Sequence, residues 1–190
     1  PALASLPRPA TLPARLAPGQ TAGGVEHEPL LHLSVLQDSP AALSFVVLVG
    51  PAVDLSAIRN TLHSILRQTD PAWELVFHVH AEGAHLVDEW LDADWRIRRC
   101  VHPHGTACAG LAQTFAMATG RFVGMVVSGD TVDDDLVKSF NRSASLAEDA
   151  DVLYCDELWQ PGEPGQPVVE VRKPDWSPEQ QMSVDMLGRF

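Results

Sequence analysis

The stretch Phe122–Asp135 reads FVGMVVSGDTVDDD, an apolar run of strand length that ends in a turn and a cluster of carboxylates. A helical pattern follows it, from Val132 to about Leu146. An apolar strand followed by a helix is the unit from which parallel sheets are built. Because such sheets bind ligands outside the carboxyl ends of their strands, the turn Ser128–Asp130 is the first place to look for a site.

The same alternation of apolar runs and helical patterns continues on both sides of this stretch. It predicts an α/β fold with a mostly parallel sheet and helices on both faces, in one domain. Asp54 is expected to open the first helix, and Gly120 to end a later one as a left-handed cap. The last two strands are expected to pair as a hairpin. Strands are predicted near 44–49, 73–79, 96–101, 122–127, 151–155 and 168–171, with helices between the first five.

Composition narrows the classes of partner. The formal net charge is −12 and no cluster of Lys or Arg is present, which argues against nucleic-acid or anionic-membrane binding through phosphates. The three cysteines are an odd number at wide spacing, which favours a reducing cytoplasm. No apolar run reaches the roughly 18 to 20 residues of a transmembrane helix. Residues 1–43 are predicted to be a Pro- and Ala-rich arm, largely disordered at its start, and 44–190 the ordered domain.

The carboxylates of the opening stretch divide into two groups. Asp133, Asp134 and Asp135 are consecutive, so they cannot converge on one ion if they are helical, and an acidic first turn that complements the helix dipole is the favoured interpretation. Asp130 differs because it lies in the turn and follows a glycine, which lets a ligand approach the backbone closely. The sequence therefore predicts ligand contact for Asp130 alone.

Histidines lie near the ends of the second and third strands. His78 and His80 share one face of a strand, and His102 and His104 follow the next strand. Four imidazoles at one end of a sheet could bind zinc or copper. Their spacing matches no standard set of metal ligands, however, so packing is the favoured interpretation.

Several blocks together resemble the family 2 glycosyltransferases of the GT-A fold, especially the bacterial members that build O-antigen and other surface polysaccharides. The most specific block is KPDWSPEQQMSVDMLGRF, residues 173–190. Similar blocks, in the family's order, are LHSILRQTDPAWEL at 62–75, RFVGMVVSGD at 121–130 and ADVLYCDE at 150–157. The resemblance covers about 44–190.

The resemblance implies transfer of a sugar from a nucleotide-diphosphate donor to the hydroxyl of a glycan or lipid-linked acceptor. It also implies a divalent cation, Mn²⁺ or Mg²⁺, that neutralises the leaving diphosphate, with Asp130 as its ligand. The catalytic base is expected beyond Phe190, in a longer polypeptide or in further domains of it. The isolated 190 residues are therefore expected to be inactive. The resemblance also implies which residues bind the nucleotide sugar: His80 and Glu82 at the nucleotide base, Ser128 and Asp130 at the diphosphate, and Asp156 and Glu157 at the sugar.

The sequence departs from the family's pattern at two motifs. The family's acidic "DDGS" after the second strand is replaced by VHAE, residues 79–82, and its "D-x-D-D" after the fourth strand by VSGD, residues 127–130. These losses keep an alternative open, in which the chain is a degenerate GT-A domain that acts as a scaffold or interaction module.

Overall fold

The computed structural model describes residues 41–50, 53–102, 107–160 and 166–183. Four strands form a parallel sheet in the order β3-β2-β1-β4. They are β1 (Leu43–Val49), β2 (Trp73–His80), β3 (Ile97–His102) and β4 (Phe122–Val127). The helices are α1 (Leu55–Leu66), α2 (Asp88–Leu91), α3 (Ala107–Met117), α4 (Leu136–Leu146) and α5 (Pro178–Ser183), with a 3-10 helix at Ala81–Val87. The expected α/β fold is confirmed.

The main core lies on one face of this sheet. Phe45 of β1 and Phe77 of β2 are fully buried there, because alternate residues of neighbouring parallel strands share a face. α1 adds Ile58, Leu62 and Ile65, all fully buried in the same cluster. Each such side chain contributes about 1.5–3 kcal/mol of burial free energy, so α1 is held firmly against the sheet.

The opposite face is more polar and is only partly covered. α3 packs there on β2 and β3, where the hydroxyl of Thr114 meets the His78 ring. β4 presents Val123, Met125 and Val127 on this side, and they stay 44%, 43% and 37% exposed. Helices thus contact both faces, as predicted. Within the described ranges, no helix is long and apolar enough to cross a membrane.

The first four predicted strands agree with the structure to within one residue at each end, and Asp54 caps α1 by accepting a hydrogen bond from the Ala57 N–H at 2.9 Å. The predicted strand at 151–155 is wrong. That segment makes no β-sheet hydrogen bonds with a neighbouring strand. It is held by side chains instead, since the Tyr154 hydroxyl donates to the Pro174 carbonyl at 2.8 Å. The predicted hairpin forms further along, where β5 (Glu157–Trp159) pairs antiparallel with β6 (Val169–Val171).

Gly120 is not a left-handed cap, because α3 ends at Met117 and the glycine of positive φ in the described chain is Gly129, at 107°. Gly120 is needed for space instead. A β-carbon there would lie 2.6 Å from Ser44 Oγ and 2.8 Å from the Ser44 backbone nitrogen. The close approach lets the Gly120 N–H donate to Ser44 Oγ at 2.8 Å.

Candidate functional site

The connections of the sheet define a crevice between β1 and β4. The chain runs from β1 outward to β2 and β3, then returns past β1 to β4 on the other side. The carboxyl ends of β1 and β4 therefore lie side by side at one edge of the sheet, and we call the space outside them the crevice. Gly50 follows β1 and Ser128 follows β4 at this edge. Open α/β sheets bind their ligands at such a reversal point, so this edge is the candidate site.

The turn after β4 forms one wall of the crevice. Ser128 is held by two hydrogen bonds to the Leu48 carbonyl, from its N–H at 3.0 Å and from its hydroxyl at 2.9 Å. Gly129 follows with its positive φ, which side chains rarely adopt. The Asp130 N–H then donates to the Val127 carbonyl at 2.9 Å, and its side chain is exposed. The backbone is thus fixed while the Asp130 carboxylate is open to solvent.

Buried polar residues of α1 hold this turn from behind. The Thr61 hydroxyl accepts the Gly129 N–H at 2.9 Å and donates to the Asp130 carbonyl at 2.7 Å. Ser64 Oγ accepts the Val132 N–H at 3.1 Å. We call Thr61, Ser64 and Gln68 the α1 polar ladder, although Gln68 lies just after the end of the helix.

Gln68 completes this ladder at the far end of the segment. Its amide donates to the Asp133 carbonyl at 2.5 Å and accepts the Val137 N–H at 2.9 Å. Sequence reasoning missed the ladder. The available signal was the i, i+3, i+7 spacing of three polar residues beside an apolar helical stripe.

The acidic residues before α4 do not form its first turn, so that interpretation is wrong. The helix begins only at Leu136. Asp134 pairs with Arg67 at 3.1 Å, and Asp135 accepts from the Thr69 hydroxyl at 2.6 Å. These residues instead tie the loop to the end of α1. In the described ranges, no three His, Cys, Asp or Glu side chains come together in a way that could hold a metal ion.

His80 and Glu82 lie at the end of β2. His80 is buried, and its Nδ1 accepts the Glu82 N–H at 3.3 Å, which caps the 3-10 helix. In the neutral ring the proton is therefore on Nε2. The Glu82 residue is exposed. β2 is two strands from β4, so this end of the crevice lies roughly 10 Å across the sheet from the Asp130 turn, at about 4.8 Å per strand.

The histidines of β2 and β3 stack on one another. The rings of His78 and His102 are 4.2 Å apart, and that of His80 meets His102 edge-on at 5.4 Å. Thr114 donates its hydroxyl proton to the Gly110 carbonyl at 3.0 Å, so the His78 Nδ1–H is the donor in its 2.8 Å contact with Thr114. Burial, and secondarily the neighbouring His102, lowers the pKa of His78. This arrangement agrees with a packing role for the histidines. His104 lies outside the described residues.

Asp156 and Glu157 both bond to Lys173, the first residue of the KPDWSP block. Asp156 accepts the Lys173 N–H at 2.8 Å, and Glu157 forms an ion pair with the Lys173 ammonium, whose side chain is only 6% exposed. Burial also raises the pKa of the nearby Cys155 thiol, although Lys173 opposes this shift. The acidic pair therefore anchors the block, and its contact with a sugar stays a prediction.

Comparison with known proteins supports the sequence resemblance. No family model matches the chain. The O-antigen biosynthesis protein RfbC of Myxococcus xanthus is 28% identical over 170 residues, which is 83% of this chain and 13% of that protein. The chain thus spans a small part of that relative.

Among solved structures, the chain is similar to TarS of S. aureus, at a TM-score of 0.45 and 16% identity over 61% of this chain and 20% of that one. A structure of TarS residues 1–349 in complex with UDP gives a TM-score of 0.45 and 17% identity, over 67% of this chain and 38% of that one. The sequence blocks indicate a likeness to the glycosyltransferase-like proteins that build bacterial surface polysaccharides. The curated relative from O-antigen biosynthesis supports this likeness.

Proposed function

We propose that this chain is the donor-binding part of a glycosyltransferase, which binds a nucleotide-diphosphate sugar for transfer to a hydroxyl of a glycan or lipid-linked acceptor. Three observations support the proposal: the α/β fold, the blocks similar to family 2 glycosyltransferases, and the O-antigen relative. The observation that carries it is the exposed Asp130 carboxylate beside Gly129, at the crevice between β1 and β4. We assign the diphosphate to this place.

The turn fits a cation that is shared with a diphosphate. Asp130 offers one exposed carboxylate, and Gly129 has no side chain that could block a ligand from reaching it. Mg²⁺ is often held by one or two carboxylates together with the phosphates of the substrate, so one aspartate is sufficient. A bound Mg²⁺ or Mn²⁺ would neutralise charge on the leaving diphosphate. Asp130 would hold the cation, while the fixed backbone keeps the carboxylate at the crevice.

The other site residues have more limited roles in this proposal. Ser128 directs both its hydroxyl and its N–H to Leu48, so it shapes the turn instead of binding through its side chain. Glu82 is exposed and can accept hydrogen bonds from a base or ribose, next to the His80 ring. Asp156 and Glu157 reach the donor sugar only if the Lys173 anchor holds them near the crevice.

Calorimetry with a nucleoside diphosphate tests the proposal. We expect the chain to bind UDP, GDP or dTDP with a dissociation constant on the order of 0.1 to 1 mM, and more tightly with Mn²⁺. Asp130→Asn should remove the gain from Mn²⁺. Asp134→Asn is the matched control, because Asp134 is an exposed acid in the same segment that pairs with Arg67, and it should keep the gain.

A scaffold function remains the second candidate, and one observation favours it. The acidic pair Asp156 and Glu157 is engaged by Lys173, which gives these residues a structural reason to be present without any donor. If the wild type binds none of the three nucleotides at millimolar concentration, or if Asp130→Asn behaves as wild type, the crevice is not a donor site. The scaffold function would then stand in its place.

A further inference from the structure

Two buried hydroxyl groups lie at opposite ends of the sheet, and each accepts a hydrogen bond from the N–H of a glycine. Ser44 and Thr61 are both completely inaccessible to solvent, at 0% exposure. Ser44 Oγ accepts the Gly120 N–H and donates to Glu74 at 2.6 Å, near the amino ends of the strands. Thr61 Oγ1 accepts the Gly129 N–H and donates to the Asp130 carbonyl, near the carboxyl ends. Each hydroxyl accepts a glycine N–H, but Ser44 donates to a carboxylate side chain, whereas Thr61 donates to the backbone of the turn at the crevice.

We propose that Thr61 is a positioning residue for Asp130, which sets the direction of the carboxylate that receives the cation and the diphosphate. This inference rests on the proposed function. The Thr61 hydroxyl has one proton, which goes to the Asp130 carbonyl, and its lone pair takes the Gly129 N–H. The two peptide groups that enclose residues 129 and 130 are thus fixed by one oxygen atom.

The hydroxyl is itself held in place by the core. Thr61 lies on α1 between Ile58, Leu62 and Ile65, which are fully buried against the sheet. A buried side chain on a packed helix has few alternative rotamers, so the oxygen cannot follow the turn if the turn moves. Because Gly129 has no side chain to restrict its backbone, the turn needs this outside support to keep one conformation.

The rest of the α1 polar ladder fixes the chain after Asp130. Ser64 binds the N–H of Val132, and Ser64 Oγ in turn donates to the Thr61 carbonyl at 2.7 Å. Gln68 binds backbone groups of Asp133 and Val137. These bonds restrain the segment as a whole, but only Thr61 bonds to both sides of Asp130. The positioning role is therefore assigned to Thr61 and not to the ladder in general.

The test compares Thr61→Val with Thr61→Ser and Ser44→Ala. Valine keeps the shape of threonine but removes the hydroxyl, so we expect UDP affinity in the presence of Mn²⁺ to fall by about five- to tenfold, the equivalent of one lost hydrogen bond. The gain that Mn²⁺ confers should shrink as well. Thr61→Ser retains the oxygen and should restore both. Ser44→Ala removes an equally buried hydroxyl that also accepts a glycine N–H, and should lower thermal stability without changing the Mn²⁺-dependent gain.

Hydrogen exchange at the Gly129 amide supplies a readout that does not depend on nucleotide. Thr61→Val should accelerate this exchange, and Thr61→Ser should not. If Thr61→Val exchanges faster at Gly129 yet binds UDP and Mn²⁺ as the wild type does, the positioning role is overturned while the proposed function survives. If the wild type itself does not bind nucleotide with Mn²⁺, the proposed function fails and takes this inference with it.

Discussion

The imidazole rings of His78 and His102 lie face to face, with centroids 4.2 Å apart and planes inclined by 13°. Both residues are buried under α3, where Gly110 leaves room for them: a β-carbon on Gly110 would lie 2.5 Å from the His102 β-carbon. Two stacked rings cannot both be protonated without strong repulsion. Burial and the neighbouring His102 disfavour protonation of His78, so α3 is docked on a surface that acid would charge.

Stability is expected to fall as the pH drops below about 6.5, the usual pKa of histidine. The pKa of His78 is lowered by burial and by His102. At mildly acidic pH the unfolded chain therefore binds a proton at His78 more readily than the folded chain does, which favours unfolding. Thermal unfolding of wild type and His102→Gln between pH 7.5 and 5.5 measures this. The variant should lose less stability on acidification, whereas His63→Gln, at an exposed position of α1, should follow the wild type. Equal pH dependence in all three proteins would contradict the assignment.

Glu74 should support the fold at neutral pH and lose its contribution in acid. Burial raises the pKa of this carboxyl, but the hydrogen bonds from Ser44 and Thr119 and the charge of Arg98 outweigh it, so the net shift is downward. Its stabilisation is full above the unfolded pKa of about 4.3 and disappears as the pH falls through the lower folded value. Glu74→Gln should cost about 2 kcal/mol at pH 7 in urea denaturation, and much less at pH 3. An equal cost at both pH values would show that charge is not the source.

Gly120→Ala should destabilise the protein by about 2–4 kcal/mol, because the new β-carbon would overlap the backbone of β1. It would meet the Ser44 nitrogen at 2.8 Å and the Leu43 carbonyl carbon at 3.0 Å, and backbone atoms of a central strand cannot move aside. Gly50→Ala is the control, since a β-carbon there would lie 3.5 Å from Val53 Cγ2, an ordinary contact. Chemical denaturation of both variants decides: a cost below 1 kcal/mol at Gly120 would rule out the close approach.

Gly129→Ala should be destabilising for a different reason. The nearest atom to its β-carbon would be Ala57 Cβ, at 3.8 Å, so there is room, but φ of 107° is strained for alanine. We expect a cost of about 1–3 kcal/mol in chemical denaturation. The strain would be relieved by rotation of the Ser128–Asp130 turn, so the Gly129 amide should also lose protection from hydrogen exchange. A stable variant with an unchanged exchange rate would contradict this account.

The sequence predicted the sheet well because β1 is apolar at six of its seven positions and β2 at five of eight, as expected for parallel strands that are covered on both faces. It also predicted a turn at Ser128–Asp130, since a glycine directly follows the apolar run, while ligand contact at this turn stays a prediction. It did not predict the Thr61 bonds, because pairs far apart in the chain become neighbours only through the packing of α1. The strand at 151–155 was predicted from apolar residues, but Tyr154 is buried by side-chain packing and a hydroxyl bond, which need no ladder.

The central place of β1 has a consequence for how the chain folds. β1, β2 and β3 can pair once residues 43–102 have left the ribosome. β4 is the last strand of this sheet to be made, yet it pairs along its whole length with β1, the first, from Leu43↔Phe122 to Leu48↔Val127. Until then, one edge of the most apolar strand is unpaired, and open edges recruit other chains. Aggregation during synthesis is therefore expected to depend on the delay before Phe122 emerges, more than on the stability of the finished fold.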